Sequence, residues 1–400
     1  MKILFYTDTA VPHLGGKSSH IIDLSEGLKV LGNEVHIISS SSIPKFQRYF
    51  DKFKKLSILH YKYTDFGTYS YKSMEITDRT IQKLVKEYLN KNNVDIISAQ
   101  DPISALYAYE LSGNKIPIVL TMHSYFGKSM TELTNDKKGM RQKDFDRLRD
   151  RDIKSLGIVQ HLIAVDTRIK NDCETYIKSD SSLFVPCTTI PNFVNTEKYK
   201  PSLKEEKRIA RNELEIPDEM RVMICVRRLV DKNGVFYAIE AMKKINGVIL
   251  LIGGDGPNMN KLKNYVYNNS LTQKIRFLGG IDGELKKKVY AAADYSIVPS
   301  ITVNGLQEAT SISAIEGMSC GLVTIVSSIG GLRELVQDHV NGLLVPEKNS
   351  AMISAAVNDL QRNETEANYL SKNARKTVEE KYSHIAAAKK YYEVFRRAAQ

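Results

Sequence analysis

The sequence predicts an α/β chain built from two doubly wound, Rossmann-like domains. Three observations carry that reading. Short β-branched apolar runs alternate with longer stretches of helical period. The alternation is interrupted once, near the middle of the chain. The length, 400 residues, suits two or three domains at about 150 residues each.

In the first half the apolar runs are KILFYT (2–7), EVHIIS (34–39), VDIIS (94–98), PIVLTM (117–122), HLIAV (161–165) and SLFVP (182–186). The second half carries VMICV (222–226), VILLI (248–252), IRFL (275–278), DYSIV (294–298) and LVTIV (322–326). Near-continuous apolar strands separated by helices mean parallel sheets covered on both faces. Between Lys17 and Leu31, the residues Ile21, Ile22, Leu24, Leu28 and Leu31 share a helical face, and Gly32 stands where a left-handed cap ends a helix. From about 190 to 220 the polar stretch IPNFVNTEKYKPSLKEEKR, with Pro191 and Pro201, reads as the linker. The expected domains are therefore 1–195 and 196–375. Residues 376–400 hold a C-terminal helix, N-capped by Ser383, that returns toward the first domain. Ligands of such folds bind outside the carboxyl ends of the strands, so the expected site is a cleft between facing domains.

With 42% hydrophobic and 26% charged residues, the chain is an ordinary soluble one, not collagen-like, coiled-coil or disordered. No window approaches the roughly 18 apolar residues of a membrane span. Lys and Arg number 57 against 46 Asp and Glu, a net charge of +11 that favours acidic partners such as phosphates or an anionic membrane face. No recognition motif accompanies that charge, so nucleic acid is not expected. Trp is absent, leaving 21 Tyr for stacking. Cys173, Cys187, Cys225 and Cys320 lie far apart without a C-x-x-C pair, which supports neither a disulfide framework nor a metal site. The N-terminus lacks a signal-peptide pattern, and cytoplasmic is the expected location.

The chemistry is expected in loops after strands. In TDTAVPHLGGKSSH, Gly15 and Gly16 precede a helix; such a pair makes either an anion site at the helix N-terminus or a plain turn. It is not G-x-G-x-x-G, and no acidic residue follows at the dinucleotide position, so nicotinamide is not the expected ligand. RRLVDKNG clusters Arg227, Arg228 and Lys232 after a strand, as an anion-facing loop or a solvated basic turn. VILLI runs into GGDGPN, a turn that lets a flat ligand approach the backbone. The most informative stretch is PSITVNGLQEATSISAIEGMSCGLVTIVSSIGGLREL. Its polar loop reaches Glu308, a short helix spans Thr310 to Gly321, and the next strand ends in Gly330–Gly331. With Glu308 just before that helix and Glu316 within it, two carboxylates can address one ligand, and the helix N-terminus between them suits a diphosphate.

Taken together these blocks resemble the retaining family-4 glycosyltransferases of the GT-B fold. The resemblance runs along nearly the whole chain: GGKSSH, LTMHS, IPNFVNTEKYKP, RRLVDKNGV, LLIGGDGPN, FLGG, AADYSIVPS and EATSISAIEGMSCGLVTIVSSIGGLRELV come in the family's order and spacing. It implies transfer of a sugar from a UDP- or GDP-linked donor, without a metal or other cofactor, to an oligosaccharide, glycolipid or surface polysaccharide precursor. By the same resemblance, Glu308 contacts the donor sugar, Glu316 the ribose, and Arg228 with Lys232 the diphosphate. Gly15, Gly16 and the backbone of Thr310, Ser311 and Ile312 complete the anion site. His123 sits beside the donor sugar, and Gly254, Gly256 and Pro257 shape the nucleotide pocket. Two departures stand out: EATS replaces E-G-F-G, and the Arg-to-Lys spacing is one shorter than the commonest form, with Asn233 at the commoner lysine position. The competing functions are a sugar-nucleotide epimerase of the same plan and a catalytically silent partner of an active transferase.

Three further stretches are read from their residues. The aspartate pairs of DFD (144–146) and DRD (150–152) lie in alternating charge at helical spacing and read as a solvated face, not a metal site. His20 reads as structural, and Asp101 in AQDP either faces the acceptor or is a turn aspartate. In residues 43–56, Phe46, Tyr49, Phe50 and Phe53 fall at i, i+3, i+4 and i+7 among Lys45, Arg48, Lys52, Lys54 and Lys55. That pattern is either a peripheral contact with the inner, anionic face of a membrane or a helix that buries its aromatics in the first domain.

Overall fold

The computed structural model describes residues 1–13, 15–60, 62, 66–124, 142–179, 183–305 and 307–400; the side chains of 66–71, 74, 142–145, 147 and 148 also lie outside the description. These residues form two compact units, Met1–Pro191 with Ala387–Gln400, and Asn192–Ala386.

The first unit is a parallel sheet of β1 (Lys2–Tyr6), β2 (Glu34–Ile38), β3 (Ile96–Ala99), β4 (Ile118–Met122), β5 (His161–Ala164) and β6 (Cys187–Thr189) in the order β2-β1-β3-β4-β5-β6. Side chains alternate across a strand, so Leu4 and Tyr6 enter one core while Ile3 and Phe5 are buried on the opposite face. Residues 183–186, the described part of the run at 182–186, are not the sixth strand. Pro186 offers only a carbonyl, which accepts from Leu162 N–H, and pairing with β5 starts one residue later at Cys187. The first helix, Gly16–Val30, buries His20, Ile21, Leu24 and Leu28 and stops before Gly32, whose φ is 81°.

In the second unit, β7 (Arg221–Val226), β8 (Val248–Gly253), β9 (Ile275–Gly279), β10 (Tyr295–Val298), β11 (Val323–Ser327) and β12 (Leu343–Val345) take the order β12-β11-β10-β7-β8-β9. Val222, Ile224, Ile249 and Leu251 fill one core and Met223, Cys225, Leu250 and Ile252 the other. This two-sided burial is why the strands read as unbroken apolar runs. The sheet starts at β7, grows outward through β8 and β9, then resumes at β10 on the other side of β7. Strand order reverses between β7 and β10, the place where open α/β sheets bind ligands.

The polar stretch near 190–220 is packed rather than loose. Tyr199 is buried, and the helix Lys204–Glu213 grips Asp294 through Lys207 at 2.7 Å and Arg211 at 2.6 Å. The last helix, His384–Ala398, starts where Ser383 Oγ accepts from the Ala386 N–H at 3.2 Å. From Ala387 onward the chain belongs to the first unit, with Ala388, Tyr391 and Phe395 fully buried along one face.

Candidate active site

Arg227 leaves the end of β7, Ser300 and Glu308 follow β10, and the helix Ile312–Ser319 comes next. The switch point of the second sheet therefore gathers them. Arg227 Nη1 donates to Ser311 Oγ at 2.7 Å and Ser313 Oγ at 3.3 Å. Its Nη2 donates to Asn233 Oδ1 at 2.7 Å, Glu308 Oε2 at 2.9 Å and Ser300 Oγ at 3.0 Å. The Arg227 side chain is 8% exposed, and its Nε is buried without a hydrogen-bond partner among the described residues. Arg228, the next residue, is exposed and has no side-chain partner among the described residues. Lys232 is exposed as well. Asn233 is buried and also donates to the Arg228 carbonyl at 2.7 Å. Two adjacent arginines thus have opposite employments, one holding a carboxylate and one facing solvent.

Backbone contacts hold this loop set. Gly254 has φ 146°, and a Cβ there would lie 1.9 Å from the Arg227 carbonyl oxygen, so only glycine allows the turn after β8 to touch the end of β7. Gly256 and Pro257 continue that turn into the helix Met259–Asn268. Gly331 donates its N–H to the Glu308 carbonyl at 3.0 Å, and a Cβ on it would lie 2.7 Å from the Ala309 backbone. The double glycine after β11 fixes the Glu308 loop by close approach. Thr310 and Ser311 are buried at the start of the motif helix, and the Thr310 carbonyl accepts from Asn192 Nδ2 at 2.7 Å.

Glu316 is 1% exposed. Lys286 Nζ donates to its Oε1 at 2.6 Å and Tyr290 OH to its Oε2 at 2.7 Å. Burial and the neighbouring Glu316 carboxylate push the Tyr290 phenol well above its ordinary range, so it stays a donor. Both Glu316 oxygens are therefore engaged from inside the unit, an arrangement sequence reasoning did not foresee.

In the first unit, order reverses between β1 and β3, and their loops meet at Asp101. Asp101 Oδ1 accepts the Ser104 N–H at 2.9 Å and so caps the helix Pro102–Ser112. Its Oδ2 accepts from Lys17 Nζ at 2.8 Å, Thr7 Oγ1 at 2.9 Å and the Asp8 N–H at 3.2 Å. Burial opposes the charge, yet Lys17 and these donors hold the Asp101 carboxyl well below the usual carboxylate range. Lys17 was missed as a candidate. The available signal was a lysine in the first turn of a helix, where the macrodipole disfavours a cation unless carboxylates surround it. Gly15, φ 143°, is the N-cap of that helix, and Gly16 is its first residue.

His123 follows β4. Its Nε2 meets Gln100 Oε1 at 3.1 Å, and since that oxygen only accepts, Nε2 carries the proton and Nδ1 is an acceptor. Burial, then His20 and Lys17, hold its pKa well below 6.5, so the ring is neutral. His20 packs edge-on against it at 4.7 Å and meets Tyr391 OH at 3.1 Å. Of the paired aspartates, the Asp144 side chain lies outside the described residues, while Asp152 pairs with Arg151 at 2.9 Å and Asp146 with Arg149 at 3.4 Å.

Two family models match in tandem: Glycosyltransferase Family 4 over residues 14–198 and Glycosyl transferases group 1 over residues 206–377. The chain belongs to the family-4, group 1 glycosyltransferases. This glycosyltransferase is 27% identical to an uncharacterized glycosyltransferase of Methanocaldococcus jannaschii, over 100% of this chain and 99% of the relative. Its two-unit α/β fold is that of GT-B structures. Anabaena HepE in complex with UDP-glucose matches with a TM-score of 0.71 at 16% identity, covering 99% of this chain and 100% of that one. The catalytic domain of Starch Synthase IV from Arabidopsis thaliana, bound to ADP and acarbose, matches with a TM-score of 0.70 at 15% identity, covering 100% and 99%.

Proposed function

We propose that this glycosyltransferase moves a sugar from a UDP- or GDP-linked donor to a saccharide or lipid-linked saccharide acceptor, retaining the anomeric configuration. One observation carries the reading: Glu308, held by Arg227, stands at the switch point of the second sheet beside the N-terminus of the helix Ile312–Ser319 and the exposed Arg228. A carboxylate that can accept sugar hydroxyls thus neighbours groups that stabilise a diphosphate. The nucleotide complexes of Anabaena HepE and the starch synthase support the donor class.

In the proposed reaction the bond between the anomeric carbon and the β-phosphate oxygen breaks. The acceptor hydroxyl oxygen bonds that carbon on the same face, and its proton passes to the departing diphosphate oxygen. Arg228, Lys232 and the backbone N–H groups from Thr310 to Ile312 offset the charge that develops there. These cations supply what a metal would otherwise provide. In this reading the ribose hydroxyls take the place of one of the bonds that Lys286 and Tyr290 make to Glu316, and Gly254, Gly256 and Pro257 border the nucleotide. In the first unit, neutral His123 offers Nδ1 as an acceptor for a sugar hydroxyl.

Thermal-shift titration with UDP, GDP and ADP, followed by turnover of the matching sugar nucleotides, tests the reading. A stabilising diphosphate and an α-configured product from an α-configured donor are expected. Arg228→Ala should lower kcat by about 10²–10³ at an unchanged melting temperature. Near-normal turnover in that folded variant removes the leaving-group assignment, and no response to any nucleotide overturns the donor.

A further inference from the structure

The helix Lys45–Leu56 is mounted with its polar side inward. Asp51, 5% exposed, accepts from Thr80 Oγ1 and from Gln47 Nε2, both at 3.1 Å. Lys55 Nζ donates to Thr77 Oγ1 at 2.8 Å, and Arg48 donates to the carbonyls of Ile43 at 2.9 Å and Ser41 at 2.6 Å. Its aromatic side faces outward: Phe46 is 73% exposed, Tyr49 60%, Phe50 46%, Phe53 52% and Leu56 54%. Burial of these rings in the first domain, the alternative left open by the sequence, is therefore not what happens. Phe46 and Phe50, and Tyr49 and Phe53, pack edge-to-face at 4.7 Å, so the stripe is preassembled.

At 100° per residue these five side chains cover an arc of about 120°. Lys45 and Lys52 border it on one side and Lys54 on the other; all three are exposed and have no partner among the described residues. The helix's one acidic residue, Asp51, is turned away and buried. Scattered exposed apolar residues are ordinary, but a continuous aromatic stripe edged by exposed lysines, with no acid of the helix on that side, is complementary to a surface apolar below and anionic above.

We propose that this helix docks the protein on anionic phospholipid bilayers, with Phe46, Tyr49, Phe50, Phe53 and Leu56 entering the acyl boundary and Lys45, Lys52 and Lys54 meeting headgroup phosphates. The inference is independent of the transferase reading, because no residue of that site takes part.

Co-sedimentation of the full chain with vesicles of equal parts phosphatidylglycerol and phosphatidylcholine, against phosphatidylcholine alone, tests it. Binding is expected to the anionic vesicles and to weaken with salt. Combined Lys45→Glu, Lys52→Glu and Lys54→Glu should reduce it by about tenfold or more. Phe50→Ser with Phe53→Ser should reduce it as much at low salt, and both variants should keep the native melting temperature. Since the chain has no Trp, Phe53→Trp adds a single reporter whose emission should shift to the blue on anionic vesicles only. Absence of vesicle binding, or binding that these variants leave intact, overturns the proposal. So does self-association, without vesicle binding, that Phe50→Ser with Phe53→Ser abolishes, which would assign the stripe to a second copy of the chain.

Discussion

Five acceptors converge on the Arg227 guanidinium: Ser311, Ser313, Asn233, Ser300 and Glu308. A planar fork can serve so many partners at once, whereas an ammonium has only three donors. Arg227 thus positions Glu308 and ties the loop after β10 to the first turn of the motif helix. Arg227→Ala should destabilise the second unit by about 2–4 kcal/mol in denaturant unfolding, because a mostly buried carboxylate and several hydroxyls lose their partner. Arg227→Lys should recover less than half of that, a result a simple charge requirement would not give. The sequence singled out this basic cluster but favoured Arg228. Adjacent arginines look alike in one dimension, and only the packing of Asn233, Ser300 and Ser311 around one of them distinguishes the two.

At the scale of elements, the long helix Phe66–Lys91 buries an acid against the first sheet. Asp78 is 9% exposed, and burial, with further repulsion from Asp8 and Asp101, pushes its carboxyl up to about 7. The folded state then keeps a proton that the unfolded chain releases near 3.8. Between these values the unfolded state binds fewer protons, so stability falls as pH rises, and the loss is complete above about 7. Asp78→Asn should therefore stabilise by about 2–4 kcal/mol at pH 8 and be nearly neutral at pH 4, as read by urea unfolding at both. Strands and helices were largely legible, because alternating apolar runs and Gly or Ser caps are local signals. The exceptions have local causes too: Pro186 delayed β6, and β12 at Leu343–Val345 is too short to show a period.

For the whole molecule, the chain returns at Ala387 to the unit in which it began. Tyr391 and Phe395 are fully buried there, and Tyr391 OH meets His20 at 3.1 Å and Thr121 at 3.5 Å. Removing residues 387–400 takes away apolar burial of about 5–10 kcal/mol, on the order of a domain's entire stability. The truncated chain should lose the cooperative melt of the first unit while the second still unfolds as a unit, as two-transition calorimetry would resolve.

What the sequence determined alone is the order and type of elements, the parallel sheets, and the motif from Glu308 to Gly331, since each rests on spacing within a short window. Tertiary structure decided which of Arg227 and Arg228 is buried, how both oxygens of Glu316 are engaged, and which side of the helix Lys45–Leu56 meets solvent. A period gives a side chain's direction relative to its own element. Whether that direction is inside or outside depends on what packs against it, and those partners come from distant parts of the chain.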